Sequence, residues 1–132
     1  MCVLTTAAAV GAVGCKEERP ASVGISPEAM VALEADAVLP DSLSAGRAHF
    51  ERFCHECHGK AATGSEKGPP LVHRVYRPGH HADPAFFLAP LQGVRAHHWR
   101  FGDMPAVEGI TRDQVAAIVA YVRWLQRQAG IF

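Results

Sequence analysis

The feature that most constrains this sequence is the segment CHECH at residues 54–58, in which a histidine directly follows the second of two cysteines. On a helix, side chains at positions i and i+3 project on the same side, so the two thiols are expected to face one common partner. The chain has four cysteines, at positions 2, 15, 54 and 57, a count that by itself suggests two disulfides in a secreted domain. The spacing within residues 54–58 points instead to one binding site shared by both thiols.

The pattern Cys-x-x-Cys-His is the attachment sequence for c-type haem. At this spacing the thiols of Cys54 and Cys57 reach the two vinyl groups of one porphyrin, and the adjacent His58 turns its imidazole to the iron. The sequence therefore predicts one haem c, held covalently through Cys54 and Cys57, with His58 as an iron ligand. Covalent haem also replaces much of the apolar core that so small a domain otherwise lacks.

Three other uses of the cysteine pair are less favoured. A redox disulfide of the thioredoxin type expects a βαβ context, and strand-like alternation is nearly absent from this sequence. A zinc site needs four nitrogen or sulfur ligands. No second CxxC exists, so loop histidines would have to complete such a site, namely His73, His80, His81, His97 and His98. A structural disulfide between cysteines this close on one helix is the least favoured of the three.

A sulfur or an imidazole is needed to close the sixth coordination position of the haem iron, and Met104 is the leading candidate. It lies in the turn-rich segment FGDMPAV, where a loop can lay a thioether over the open face of the haem. The other two methionines stand near the N-terminus, at positions 1 and 30. Two alternatives stay open: Met104 fills a gap in the core, or His97 or His98 ligates the iron and gives a lower potential.

The clearest helix of the sequence lies at its C-terminal end. Thr111 and Gln114 form a capping-box pattern. Apolar residues then recur every three to four positions until Gly130, at Val115, Ile118, Val119, Val122 and Leu125. This spacing predicts an amphipathic helix that packs against the rest of the domain.

The middle of the chain is broken by proline and rich in histidine. A helix start at Asp83 is expected to lead into a short helix through residues 86–88, which Pro90 kinks or ends. The apolar side chains of residues 86–88 are expected to wall the haem pocket. His80 and His81 are expected in a solvated loop, because polar residues beside proline and glycine are usually exposed.

The N-terminal part of the chain differs in composition from the remainder. Residues 1–14 carry no charge, are too short to cross a bilayer as a helix, and predict an export signal peptide. Residues 12–15, AVGC, resemble the lipobox of bacterial lipoproteins, which makes Cys15 the predicted lipidation site. Residues 15–40 then form a lipidated N-terminus and acidic tether, with two basic and five acidic residues, and residues 41–132 form a domain of net charge +3.

Together these residues resemble the small monohaem class I cytochromes c of bacteria, over about residues 43–130. The resemblance consists of a first helix with Gly46 and Phe50, the haem-attachment motif at 54–58, GPPL at 68–71, the pair Met104 and Pro105, and AYVRWLQ at 120–126. It implies an all-α fold of three to four helices wrapped around a covalently attached haem. In this family Gly46 and Phe50 match first-helix positions that cross aromatic side chains of the last helix, here Tyr121 or Trp124.

The resemblance also implies roles for residues around the haem. Pro69 matches the proline whose carbonyl accepts the N–H of the iron-ligating histidine, and Leu71 matches a residue that packs on the haem. Trp99 lies where the family often places a partner for a haem propionate, although Arg74 or His98 would serve equally.

The motif and the resemblance imply an electron carrier that cycles between Fe(III) and Fe(II) and breaks no substrate bond. Its expected location is the periplasm or the outer face of the cytoplasmic membrane. Its expected partners are other redox proteins, bound transiently, and a membrane surface through the lipid anchor. Nucleic acid is not expected as a partner, because 13 basic residues balance 13 acidic ones. Two alternatives are a haem subunit of a larger oxidoreductase and a haem sensor or enzyme with a displaceable sixth ligand.

Overall fold

The computed structural model describes residue 28 and residues 39–132. The predicted export signal, the predicted lipidation site Cys15 and nearly all of the predicted tether lie outside the described residues. The domain expected over residues 41–132 lies within them.

The described part of the chain is built from helices. Four α-helices run as α1 (Ser44–Phe53), α2 (His55–His58), α3 (Asp83–Gln92) and α4 (Arg112–Gln128). Short 3₁₀ turns stand at Asp41–Leu43, Lys60–Ala62 and Arg74–Tyr76. Within residues 39–132 the only β-type pairing is one isolated antiparallel bridge, Val94 with Met104. The predicted all-α architecture is confirmed for this region, and no helix in it is long and apolar enough to cross a membrane.

The crossing of α1 and α4 forms the centre of the core. A Cβ added to Gly46 would lie 2.2 Å from the carbonyl oxygen of Ala117, so only glycine allows the two backbones to approach this closely. The rings of Phe50 and Tyr121 lie 5.7 Å apart, and both side chains are buried. Tyr121 is therefore the aromatic that Phe50 meets, and Trp124 stacks beside Tyr121.

Helix α4 begins at the capping box that the sequence predicts. The Gln114 backbone N–H donates to Thr111 Oγ1 at 3.3 Å, and the Thr111 N–H donates to Gln114 Oε1 at 2.9 Å. The apolar stripe of α4 is buried along its length, and Gly130 follows the helix with a positive φ of 69°. Arg123 and Gln126 are buried as well, which the apolar periodicity does not indicate.

Pro90 is expected to kink or end helix α3, and the structure shows that the helix does not end there. The helix continues through Pro90 to Gln92 and ends at Gly93, which has a positive φ of 79°. Pro90 lies in the last turn, where the proline ring displaces only one hydrogen bond of the helix. Its carbonyl oxygen accepts the N–H of Val107 at 2.8 Å, so the segment before α4 holds this turn in place.

Candidate functional site

A cavity of about 360 Å³ opens between the 54–58 segment, α3, α4 and the loop that joins those two helices. This volume lies within the range of about 300–1,000 Å³ that is typical of ligand and cofactor sites. Six of the seven residues predicted to bind haem line the cavity, namely Cys54, His58, Pro69, Leu71, Trp99 and Met104. The seventh, Cys57, is exposed on the solvent side of α2.

His58 is held in one orientation at the cavity wall. Its side chain is buried, and its Nδ1 lies 2.8 Å from the carbonyl oxygen of Pro69, where an Nδ1–H donates. Burial lowers the pKa of His58, and the hydrogen bond to Pro69 offsets part of that effect. An Nδ1–H that donates to Pro69 leaves the Nε2 lone pair for a metal, the arrangement in which histidine ligates iron.

The two cysteines of the motif have different surroundings. Cys54 follows the last residue of α1, is half-buried and lines the cavity. Burial raises the pKa of its thiol to about 11, and the neighbouring Cys57 adds to the rise. A redox-active thiol of the thioredoxin type has a lowered pKa instead, and the two cysteines are not joined in a disulfide. Among the described residues, neither cysteine belongs to a group of three or more side chains that is able to hold a metal ion.

Met104 reaches the cavity from a short, fixed piece of backbone. Its N–H and carbonyl each pair with Val94 at 2.9 Å, which forms the isolated bridge. Asp103 accepts the N–H of Ala96 at 2.8 Å and so ties the two sides of this loop together. Met104 and His58 therefore bring a thioether and an imidazole to the wall of the same cavity.

The alternative iron ligands His97 and His98 also line the cavity, but both are exposed to solvent. His97 Nδ1 lies 2.8 Å from the carbonyl oxygen of Arg95. His98 Nε2 lies 3.3 Å from the Nε2 of His80. Met104 is half-buried and its backbone is paired on both sides with Val94, so it is the better candidate for the sixth ligand.

Trp99 presents an unsatisfied donor beside the cavity. Its indole Nε1 is buried and, within the described region, is the one buried side-chain polar atom that lacks a hydrogen-bond partner. The indole of Trp99 lies near the phenol of Tyr76. Burial raises the pKa of Tyr76, and the nearby indole offsets part of that rise. The geometry of the two groups is nevertheless not that of a hydrogen bond. A buried donor without a partner costs about 1–3 kcal/mol. A carboxylate of a group bound in the cavity would satisfy it, as expected for a haem propionate.

The other two candidate propionate partners differ in position. His98 lines the cavity, whereas Arg74 is exposed and is not among the residues that line it. Arg95, which the sequence did not single out, lines the cavity too and is the more suitable cation for a propionate.

The walls of the cavity are apolar. They come from Val115, Ile118, Val119 and Val122 of α4 and from Ala85, Phe86, Ala89 and Pro90 of α3. The expectation that residues 86–88 all wall the pocket is wrong for two of them. Phe87 instead packs under the guanidinium of Arg112, and Leu88 is 42% exposed. At a helical rotation of about 100° per residue, three consecutive side chains cannot all face one cavity.

Several lining residues were not found from the sequence. Tyr76, Val94 and Phe101 lie in irregular segments, where no periodicity marks a buried side. The signal that does exist is proximity in the chain, because Phe101 stands between Trp99 and Met104 and Val94 lies a few residues before them.

The fold and the cavity thus define a helical domain suited to a covalently bound haem. A family model described as Cytochrome c matches residues 43–126, and the chain belongs to the cytochrome c family. It is accordingly a haem-binding electron-transfer protein, and the family implies a covalently attached c-type haem at the CxxCH motif. Searches of curated proteins and of solved structures gave no match to this chain.

Proposed function

We propose that this protein is a one-electron carrier with a single haem c, bound through Cys54 and Cys57 and ligated by His58 and Met104. The observation that carries the proposal is that the imidazole of His58 and the thioether of Met104 line one apolar cavity, each fixed by hydrogen bonds outside it. When bound, haem supplies reversible Fe(III)/Fe(II) chemistry.

The residues around the cavity control that chemistry in three ways. Pro69 holds His58 through the hydrogen bond at 2.8 Å, which fixes the ring and increases its basicity as a ligand. Met104 supplies a soft sulfur, which favours the reduced iron and raises the potential relative to two histidines. The valine and isoleucine side chains of α4 exclude water, and a medium of low dielectric disfavours the additional charge of the oxidised state.

Electron exchange is proposed to occur at the exposed edge beside Cys57. Near it Lys67 Nζ lies 2.6 Å from Glu56 Oε1 in an exposed ion pair, so these two charges compensate each other. On the rim of the cavity Phe101 is 43% exposed and offers an apolar contact. The small net charge of +3 for residues 41–132 supports weak, transient docking on a small patch rather than strong electrostatic steering.

The central test is the variant Met104→Ala. We expect haem to remain covalently bound, the weak charge-transfer band of Met–Fe(III) near the red end of the spectrum to disappear, and the midpoint potential to fall. Carbon monoxide should bind the reduced variant without denaturant but should not bind the unsubstituted protein. Met30→Ala removes a methionine outside the domain and serves as the matched control.

Two results would contradict the proposal. An unchanged spectrum and potential in Met104→Ala would dismiss Met104 as a ligand. Carbon monoxide binding to the unsubstituted protein would favour a sensor or enzyme with a displaceable ligand. Co-purification with a catalytic chain would identify a subunit of an oxidoreductase.

We further propose that the protein is exported and held at the outer face of the cytoplasmic membrane by lipid on Cys15. Cys15→Ser should move the protein from the membrane fraction to the soluble fraction, whereas Cys2→Ser, within the predicted signal peptide, should leave it on the membrane. Membrane retention of Cys15→Ser would disprove the lipid anchor.

A further inference from the structure

Four of the protein's eight histidines meet at one edge of the domain, outside the predicted iron ligation. We call His80, His81, His97 and His98 the histidine cluster. Their rings form five contacts with centroid separations from 4.3 to 5.7 Å. Two members precede α3 and two follow it, so the fold assembles the cluster from segments that are distant in the chain.

Three members of the cluster present ring nitrogens at distances that suit a metal ion. His80 Nε2 and His98 Nε2 lie 3.3 Å apart. Two nitrogens bound at about 2.0–2.1 Å to a tetrahedral metal are about 3.4 Å from each other. Each of His80, His81 and His98 offers one ring nitrogen, and these three nitrogens lie within 4.8 Å of one another. A small rotation of the side chains therefore completes a three-nitrogen site.

The third ligand, His81, is already oriented for this role. Its Nδ1 lies 2.9 Å from the carbonyl oxygen of Val75, where an Nδ1–H donates and leaves the Nε2 lone pair free to bind. Metal-binding histidines are commonly held by such a bond from the second ring nitrogen to a backbone carbonyl. The backbone N–H groups of His80 and His81 both donate to the Arg77 carbonyl at 2.9 Å, which fixes the turn that carries them.

The electrostatic surroundings are compatible with a cation. Arg123, which donates to the His81 carbonyl, pairs with Asp83 at 2.7 Å, so its charge is compensated locally.

We propose that His80, His81 and His98 bind one divalent transition-metal ion, of the zinc, copper or nickel class that imidazole ligands favour. Water or the adjacent His97 completes the coordination. The site lies at the rim of the haem cavity, because His81, His97 and His98 line that cavity and His80 stands outside it. The bound ion joins the turn before α3 to the loop that carries Met104, and its charge raises the potential of the neighbouring haem. The proposal rests on the proposed function in one respect, because His98 is free to bind the ion only when Met104 and not His98 is the sixth iron ligand.

The test uses the haem-containing protein and Zn²⁺, which has no redox chemistry of its own. Isothermal titration calorimetry in a buffer that does not chelate metal should show one ion per chain. His80→Ala and His98→Ala should each weaken binding by about tenfold or more. His49→Ala, which removes a histidine of α1 far from the cluster in the chain, should leave the affinity within about twofold. An unchanged haem spectrum in each variant verifies that the domain is intact.

A second measurement examines the ligands directly. Zinc X-ray absorption of the loaded protein should show at least three nitrogen ligands of imidazole type at about 2.0 Å. In a redox titration, Zn²⁺ should raise the midpoint potential of the haem in the unsubstituted protein but not in His98→Ala. Equal affinity in the unsubstituted protein and in the His80→Ala, His98→Ala double variant would overturn the proposal. An equal loss in His49→Ala would do the same.

Discussion

At the scale of single residues, Gly93 determines where Met104 lies. Its φ of 79° is in the left-handed region, and an added Cβ would lie 2.8 Å from the carbonyl oxygen of Met104 and 3.1 Å from the N–H nitrogen of Ala106. Any side chain at this position must therefore push the Met104 segment away from its pairing with Val94. Gly93 thereby links the end of α3 to the geometry of the proposed iron ligand.

The variant Gly93→Ala tests this link. We expect a reduced charge-transfer band of Met–Fe(III) and a lower midpoint potential, both measured on the oxidised and reduced protein. Gly109→Ala is the matched control, because Gly109 has a similar φ of 73°, has no atom within 4 Å of an added Cβ and does not line the cavity. It should cost only the left-handed strain of about 1–2 kcal/mol and should keep the band. Equal loss of the band in both variants would show that general strain, and not the contact with Met104, is responsible.

The residues that carry the haem chemistry were predictable because local sequence encodes them. Adjacent thiols and imidazole mark the attachment motif, and Met104 stands out because the domain has no other methionine. The histidine cluster was not predictable, since His81 and His98 meet only after α3 folds back between them. Of the two histidines expected in a solvated loop, His80 is exposed, whereas His81 is half-buried and lines the cavity. Exposure alone did not indicate that His80 faces His98.

At the scale of elements, the crossing of α1 and α4 depends on the absence of one methyl group. Glycine inside a helix normally costs about 1 kcal/mol relative to alanine. Gly46 is nevertheless required, because its Cβ position is 2.2 Å from the Ala117 carbonyl oxygen and 3.0 Å from Tyr121 Cβ. Replacement by alanine must separate two helix backbones or bend one of them.

Gly46→Ala should therefore lower the free energy of unfolding by about 3 kcal/mol, at the upper end of what overpacked cores show. Guanidinium unfolding of the oxidised haem protein, followed by far-ultraviolet circular dichroism, measures this change. Gly79→Ala has open space around its Cβ position and should change the stability little. A Gly46→Ala protein that is as stable as the parent, or more stable in keeping with helix propensity, would contradict the close crossing.

The bounds of a helix were predictable where signals in the local sequence agree with its packing. They were not predictable where contacts from distant parts of the chain determine where the helix ends. The capping box and apolar stripe of α4 fall in one stretch of sequence, and both are found in the structure. The length of α3 was misjudged because the proline rule describes an isolated helix. Here the Val107 N–H reaches the Pro90 carbonyl from beyond the loop and holds the last turn.

At the scale of the whole molecule, polar contacts of α4 hold the loops around the cavity. Arg123 is buried and donates to the Tyr76 carbonyl at 2.7 Å, to Gln126 Oε1 at 2.6 Å and to the His81 carbonyl. Gln126 in turn donates to the Leu71 carbonyl at 2.8 Å. The last helix therefore fixes the segment from Leu71 to His81, which lies far from it in the chain, and the bound cofactor completes the interior that these segments enclose.

This arrangement predicts that the domain does not fold without its cofactor. The cavity of about 360 Å³ is walled by apolar side chains of α3 and α4, and without haem those side chains stay exposed to water. A small domain is stable by only about 5–15 kcal/mol, so it depends on the burial that the haem provides. The double variant Cys54→Ala, Cys57→Ala, purified free of haem, should show little helical circular dichroism and no cooperative melting.

The single variant Cys57→Ala keeps one thiol for attachment and should retain haem and fold. A haem-free double variant that is helical and melts in one sharp transition would show that the protein core alone is sufficient, and that haem enters a domain which is already folded.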